Sequence, residues 1–181
     1  AHTASDQAET VLYRLAVSPG SRALLGMAPR RGRLVRPLLA VTREEVRDYL
    51  RWYVRYQGPD GRLPCCIDKR GADPVPEHDS IGEFVWTVME YYRFTHDVGF
   101  VHDMWPRVVR AVDYLVALRE RRLTDDYKAP EKRAFYGLLP ESISHEGYSS
   151  HPVHSYWDDF FALRGFKDAA EMAVIVGDDA R

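Results

Sequence analysis

Helical periodicity is the feature that most limits what this sequence can fold into. Apolar residues recur every three or four positions in five stretches, which cover residues 5–17, 42–57, 80–96, 103–121 and 155–176. Glycines and prolines separate the stretches and mark turns or loops between them. We therefore predict an all-α chain built from antiparallel helix–loop–helix units.

Helix starts and stops are marked by short local patterns. Thr42-Arg-Glu-Glu45 and Ser80-Ile-Gly-Glu83 match the capping box, in which a hydroxyl and a carboxylate each accept a hydrogen bond from a free backbone N–H. The helix after Thr42 should stop at the turn residues 58–61. Pro106 fits the first turn of a helix, where its missing N–H is harmless. These patterns predict helix starts near residues 42, 80 and 103.

The predicted helices differ in how much apolar surface they carry. The stretch 80–96 is apolar almost all round and should be buried, whereas 103–121 has a single apolar stripe and should lie at the surface. The stretch 155–176 again shows little polar surface near its start. Inner and outer helices thus alternate, and the long connections 58–79 and 122–153 should gather at one rim.

A weak internal repeat supports this alternation. Gly61-Arg-Leu-Pro64 recurs as Gly137-Leu-Leu-Pro140, 76 residues further along, and the same offset relates His78 to His154 and Phe84 to Phe160. Helical repeats cannot bury their apolar faces alone and stack against neighbours. We divide the chain into an N-terminal helix with an irregular linker, residues 1–41, and incomplete helical-hairpin repeats, residues 42–181.

Charge gives no general reason to expect a polyanionic partner. The 181 residues carry a formal net charge of −2, so we predict neither nucleic acid nor a membrane as a partner. A local exception is the run of four arginines between residues 30 and 36. It lacks interleaved aromatic residues, and we interpret it as a solvated linker, with an anion site as the weaker alternative. No cofactor is predicted, and the compartment is not readable.

The two cysteines, Cys65 and Cys66, are adjacent. Neighbouring side chains of an extended segment point apart, so a bridge between them would be strained. A zinc-binding pair would need two to four residues between the thiols. The sequence therefore predicts two free thiols.

Two runs carry a resemblance to a known family. The run Asp79-Ser-x-Gly-x-Phe-x-Trp, continued by Tyr91-Tyr92-Arg-x-Thr95-His-Asp97 and Trp105-Pro106, resembles the six-hairpin glycosidase superfamily of glucoamylase-, trehalase- and processing-glucosidase-like enzymes. The run from Tyr136 to Phe160 is similar to their segment that carries the general acid. The resemblance covers residues 42–181. It implies part of an (α/α)6 toroid, a carbohydrate substrate and glycoside hydrolysis.

The resemblance assigns the general acid to Asp158, directly after Trp157, with Asp159 as second candidate. A like-charged neighbour and an aromatic wall would each raise the pKa of a carboxyl group, as a general acid requires. Alternatively, Asp158 completes a capping box with Ser155. The second carboxylate that hydrolysis needs has no counterpart here, so it would lie outside this chain or in an unrecognised position.

Further residues are candidates for binding the sugar at the same rim. The histidines precede the two inner helices, the aromatic residues would line the mouth, Asp79 is either a hydroxyl ligand or an N-cap, and Glu141 is a reserve acid. The candidates are Trp157, His154, Tyr156, His78, Asp79, Tyr148 and Glu141. The histidine-rich loop 145–154 lacks the His-Glu-x-x-His spacing on a helix, so no metal site is predicted.

Other functions remain open at this stage. One is a non-catalytic helical repeat module that binds a glycan or a protein. Another is a toroid of the prenyl-cyclase kind, in which an aspartate pair protonates an alkene, although polar loops fit an apolar substrate poorly. An incomplete toroid would also expose apolar helix faces, which could lead to self-association.

Overall fold

The computed structural model describes residues 4–17, 27–36, 39–143 and 151–178. Within them lie the helices α1 (Ala4–Val17), α2 (Arg43–Tyr53), α3 (Asp79–Thr95), α4 (Val98–Glu120) and α5 (Tyr156–Val176). Two antiparallel ladders are also present, β1 (Arg30–Arg31) with β2 (Leu34–Val35), and β3 (Ile67–Asp68) with β4 (Gly71–Ala72). Short 3-10 turns occupy Val54–Tyr56, Asp125–Lys128 and Arg133–Phe135.

The chain divides into two compact units, Ala1–Leu50 and Arg51–Arg181, and the boundary falls within α2. The division at residues 41 and 42, which the sequence suggested, stays a prediction. The ladders were not expected, because two residues per strand are too few to show the alternation by which strands are recognised. The all-α class and the closure into a toroid likewise stay predictions.

In the first unit, a capping box starts α2. The backbone N–H of Thr42 donates to Glu45 Oε2 at 2.7 Å, and the N–H of Glu45 donates to Thr42 Oγ1 at 3.1 Å. These reciprocal bonds confirm the cap predicted from the sequence. Arg43 ties α2 to α1, since its Nη2 lies 2.7 Å from Glu9 Oε1.

In the second unit, α3 is the most buried helix. Six of its apolar side chains are buried, namely Ile81, Phe84, Val85, Val88, Met89 and Tyr91. This confirms the prediction that 80–96 forms an inner helix. The start of α5 was expected to be buried, as in an inner helix. Within this unit that expectation is wrong, because Tyr156 and Phe160 are 68% and 67% exposed.

Two glycines allow α3 and α5 to approach each other closely. A Cβ atom built on Gly82 would lie 2.2 Å from the carbonyl oxygen of Phe161, and one on Gly165 would lie 3.1 Å from the Cα of Gly82. Because any side chain at these positions would separate the helices, the glycines set the distance between α3 and α5. They therefore also place the two helix starts beside each other.

Helix α4 starts earlier than the sequence indicated. Asp97 accepts a hydrogen bond from the N–H of Phe100 at 2.9 Å, so the helix begins at Val98 and Pro106 lies inside it. The predicted start at residue 103 is wrong. It rested on the preference of proline for the first turn of a helix, whereas Pro106 lies in the interior of this one. One face of α4 is buried, through Phe100, Val101, Met104, Val108, Ala111, Leu115 and Leu118. The predicted stripe, Trp105, Val108, Val109, Val112, Leu115 and Val116, is wrong in detail, because only Val108 and Leu115 of it are buried and Val116 is 41% exposed.

The second capping box predicted from the sequence does not form. The Ser80 hydroxyl donates to the carbonyl oxygens of Leu63 and Glu77, at 3.2 and 2.9 Å. Ser80 thereby fastens the long connection before α3 instead of capping the helix. None of the helices in the described residues has the length and apolar content needed to cross a bilayer.

The two glycines of the sequence repeat adopt the same kind of backbone conformation. Gly61 has a φ of +95° and Gly137 a φ of +76°, both in the left-handed region that favours glycine. Leu63 and Leu139, two residues after each glycine, are both buried. The repeated motif therefore makes corresponding turns before α3 and α5.

Candidate functional site

The starts of α3 and α5 bring two of the predicted site residues together. The indole Nε1 of Trp157 donates to Asp79 Oδ2 at 2.9 Å, and Asp79 Oδ1 accepts from the N–H of Ser80 at 2.8 Å. Asp79 is only 1% exposed. Its carboxylate therefore links the two helix starts, which neither the sugar-binding nor the N-cap interpretation had predicted.

Asp158 lies buried at the start of α5 and is 1% exposed. Its Oδ2 accepts a hydrogen bond from the Ser142 hydroxyl at 2.5 Å. The backbone of Ser142 in turn pairs with Val153 through bonds of 3.1 and 2.8 Å. The Ser155 side chain makes no cap bond. Asp158 thus fastens the connection before α5 to the helix.

Asp159 holds the same connection at another point. Its Oδ1 accepts from the N–H of Leu139 at 2.9 Å. Burial raises the pKa of this carboxyl, against the opposing effects of the Leu139 bond and of His154. A raised pKa suits a proton donor, but the contacts of Asp158 and Asp159 are those of residues that order a loop. Their catalytic role stays a prediction.

His154 and Glu141 form a contact at the same end of α5. His154 Nε2 lies 3.1 Å from Glu141 Oε1, and its ring stacks on Phe135 with centroids 4.0 Å apart. Glu141 also pairs with Arg122. A hydrogen bond from its own backbone N–H to the carboxylate, followed by the charges of Arg122 and His154, lowers the pKa of Glu141.

Within the described residues, no bond joins His78 to His154, the histidine that corresponds to it in the sequence repeat. It is 4% exposed. Burial, together with the charges of Arg121 and Arg62, lowers the pKa of His78 to about 4. Tyr156 points largely into solvent, and Tyr148 lies outside the described residues. The binding roles of these residues stay predictions.

The two cysteines are free thiols, as predicted, but the geometry from which this was argued differs. Their Sγ atoms lie 3.0 Å apart, whereas side chains pointing in opposite directions had been expected. The reason is that Cys65 lies at a bend of the chain and not in an extended segment. Within the described residues, no three His, Cys, Asp or Glu side chains converge in a way that could hold a metal ion.

A second candidate site lies in the first unit, and we call residues 27–36 the arginine hairpin. Its ladder pairs Arg30 with Val35 and Arg31 with Leu34, and the turn between the strands contains Gly32 with a φ of +62°. The segment had been interpreted as an irregular, solvated linker. The irregular part is wrong for residues 30–35, which form the ladder, while their exposure agrees with a solvated segment. The sequence feature that could have indicated the hairpin is the repetition of arginine on both sides of Gly32.

The arginine hairpin is fastened at its base. The N–H of Met27 donates to Gln7 Oε1 at 2.5 Å, and Gln7 Nε2 donates to the Met27 carbonyl at 2.9 Å, so one amide side chain of α1 holds both backbone groups. Arg36 closes the base, because its Nη1 donates to the Ala28 carbonyl at 2.9 Å and its N–H donates to the Pro29 carbonyl at 2.8 Å.

The guanidinium groups of the arginine hairpin remain without acidic neighbours. Arg30, Arg31 and Arg33 are exposed, and Arg36 is half-buried. Among the residues that the structure describes, no carboxylate lies within ion-pair distance of any of the four. Arg43 of the same unit, by contrast, pairs with Glu9. The hairpin is therefore a site of uncompensated positive charge.

Comparison with known proteins concerns this same unit. Residues 1–56 match a PP-loop domain. Among curated proteins, the tRNA(Ile)-lysidine synthase of Ruegeria pomeroyi is 58% identical over 55 residues, which are 28% of this chain and 13% of that protein. The synthase of Thermobifida fusca is 55% identical over 47 residues, 26% of this chain and 14% of that protein.

A longer alignment is found with the tRNA(Ile)-lysidine synthase of Thermus thermophilus. It is 41% identical over 90 residues, which are 50% of this chain and 16% of that protein. The chain thus spans less than a fifth of the length of these relatives. No solved structure matches the chain.

These matches correct the functional part of the sequence analysis. The resemblance to six-hairpin glycosidases is wrong, and so are the glycoside hydrolase activity, the carbohydrate substrate and the exclusion of nucleic acid. The alternative of a non-catalytic helical repeat module is unsupported as well. The runs that carried the resemblance begin at Asp79, outside the matched residues 1–56. The net charge of the whole chain also led us to discount the four arginines of the hairpin, because acidic residues elsewhere cancel their charge.

Proposed function

We propose that this chain is part of a tRNA-modifying enzyme of the PP-loop type, with tRNA(Ile) as substrate and lysidine formation as the reaction. The observation that carries the proposal is the 58% identity over 55 residues to the lysidine synthase of Ruegeria pomeroyi. The match to a PP-loop domain over residues 1–56 supports it independently. The activity of the whole protein is inferred from this segment.

The matched segment offers exposed arginines for RNA but no glycine-rich loop for a nucleotide. Residues 1–56 contain three glycines, at positions 20, 26 and 32. Loops that cradle nucleotide phosphates use more closely spaced glycines, so that backbone N–H groups can approach the phosphates. We therefore assign no nucleotide contact to named residues of this segment. Its exposed arginines are suited to polyanionic RNA.

Binding of tRNA(Ile) by the full chain tests the proposal. Fluorescence anisotropy would compare labelled tRNA(Ile) with a tRNA of another specificity and similar length, at low salt where phosphate contacts are strong. We expect tighter binding of tRNA(Ile). Equal affinity for the two tRNAs, or no binding of either, would contradict the proposed function.

A further inference from the structure

We propose that the arginine hairpin, residues 27–36, is an RNA-phosphate contact surface of this protein. The inference rests on the proposed function and adds to it the surface by which the RNA backbone is held. It is carried by three observations in the first unit. These are three exposed arginines that have no carboxylate partner among the described residues, the fixed hairpin backbone, and the absence of acidic residues from the segment.

The charge of the hairpin is strong for its size. Ten residues carry four arginines and no aspartate or glutamate, within a chain of net charge −2. Arginine presents a planar fork of donors that matches the oxygens of a phosphate, and it stays charged at every physiological pH. Exposed arginines that lack a carboxylate partner keep this capacity for a ligand.

The ladder spreads the arginines over both faces of the hairpin. Cross-strand partners lie on the same face of a ladder and successive residues on opposite faces. Arg31 therefore shares one face with Leu34, and Arg30 shares the other with Val35, while Arg33 lies in the turn. All of these residues are exposed. Arg30 and Arg31 therefore do not converge on a single small anion.

The backbone that carries the arginines is held before any ligand binds. Gln7 holds both backbone groups of Met27, and Arg36 bonds the Ala28 carbonyl across the base. A fixed backbone reduces the conformational entropy that binding would otherwise cost. Gln7 is thus a positioning residue for this surface and does not itself need to contact RNA.

Substitution of Arg31 and Arg33, the two arginines nearest the turn of the hairpin, tests the surface in the full chain. The Arg31→Gln, Arg33→Gln variant would be compared with the parent and with a control, Arg55→Gln, Arg133→Gln. The control removes the same charge from exposed arginines of the second unit. Anisotropy with tRNA(Ile) and with a second tRNA would be followed from about 50 to about 200 mM salt.

We expect the hairpin variant to bind both tRNAs several-fold more weakly at low salt. The slope of log affinity against log salt should become shallower by roughly 1.5, because each phosphate contact contributes roughly 0.7–0.9 to it. The control should keep the parent's slope. An unchanged slope in the hairpin variant, or an equal change in the control, would overturn the proposed surface.

A charge-neutral variant tests the positioning role of Gln7. The Gln7→Ala variant keeps all four arginines but removes both bonds to Met27. We expect its affinity for both tRNAs to fall while its melting temperature stays close to that of the parent, so that the loss is not one of folding. Unchanged affinity in Gln7→Ala would overturn the positioning role.

Failure of the proposed function and failure of the surface are distinguishable. Phosphate contacts are independent of RNA sequence, so the surface is judged by the salt slopes alone. A parent that binds both tRNAs equally contradicts the function and leaves the slope comparison valid. A preference for tRNA(Ile) together with unchanged slopes contradicts the surface only. Anionic lipid vesicles bound in place of RNA would overturn the surface as an RNA contact.

Discussion

Ionisable side chains buried in the second unit differ in the charges that surround them. Asp168, 1% exposed, is paired with Arg93 and Arg164, both at 2.7 Å, so its charge is compensated between α3 and α5. His78 is equally buried but faces the positive charges of Arg121 and Arg62. Its neutral form is therefore favoured in the folded protein.

The pH dependence of stability should report His78. The pKa of His78 is about 4 in the folded protein against 6.5 for the free side chain, so the unfolded chain binds more protons between these values. The stabilisation is complete above pH 6.5 and is lost as the pH falls toward 4, in total about 3 kcal/mol.

Denaturant unfolding at several pH values, for the parent and for His78→Gln, would measure this contribution. The difference in the free energy of unfolding between the two proteins should shrink as the pH falls from 7 to 4. A constant difference over this range would show that His78 is not held neutral by the fold.

The adjacent cysteines should react at very different rates. Burial, and next the bonds to Cys66 and Glu77, raise the pKa of the Cys65 thiol, while Cys66 is exposed. The thiolate is the form that alkylates, so Cys66 should be modified first at pH 8. Peptide mass spectrometry after a short iodoacetamide pulse would locate the label. Faster labelling of Cys65 in the Cys66→Ser variant than of Cys66 in Cys65→Ser would contradict this order.

At the scale of elements, the close packing of α3 against α5 depends on Gly82, which leaves room for the carbonyl of Phe161. The Gly82→Ala variant places a methyl group 2.2 Å from the Phe161 carbonyl, so the helices must move apart. We expect a loss of about 1–3 kcal/mol in the free energy of unfolding, as for overpacked cores. Thermal and urea unfolding would measure it.

Gly99→Ala offers a matched control in α4. There the new Cβ would lie 3.3 Å from Asp97 Oδ1, the cap of α4, which has to shift by only a few tenths of an ångström and can keep its bond to Phe100. Alanine also favours a helix over glycine. A destabilisation of Gly99→Ala as large as that of Gly82→Ala would show that the glycine contact between α3 and α5 does not set their packing.

Local chemistry explains which elements could be predicted from the sequence. The buried face of α3 and the cap at Thr42 follow from periodicity and from residues three positions apart. The start of α4 is set locally by Asp97, three residues before Phe100, but Pro106 also fitted a first turn and indicated a later start. The role of Ser80 depends on the carbonyl of Leu63, 17 positions earlier. Tertiary partners of this kind leave no periodic signal.

The contacts within the candidate sites were harder still to predict from the sequence. His154 and Glu141 were both expected at one rim, and they do lie in contact. The bond from Trp157 to Asp79 joins residues 78 positions apart and could not be read from either run alone. The arginine hairpin was visible as a charge cluster but was judged against the net charge of the chain, which averages out local surfaces.

At the scale of the whole molecule, structure and similarity divide the chain at nearly the same place. The first compact unit ends at Leu50, and the PP-loop match ends at residue 56. The PP-loop match therefore covers the first unit with its arginine hairpin, while the 90-residue alignment with the Thermus thermophilus synthase extends into the second unit. The buried carboxylates at the starts of α3 and α5 belong to the second unit, for which no function is assigned.

The central claim is that residues 1–56 are the working counterpart of the aligned segment in tRNA(Ile)-lysidine synthases. The most direct measurement replaces the 55 aligned residues of the Ruegeria pomeroyi enzyme by those of this chain and assays lysidine in tRNA(Ile) by nucleoside mass spectrometry. The account predicts that the hybrid forms lysidine, and forms less of it with Arg31→Gln and Arg33→Gln. A hybrid that folds with the melting temperature of the parent enzyme yet forms no lysidine would contradict it.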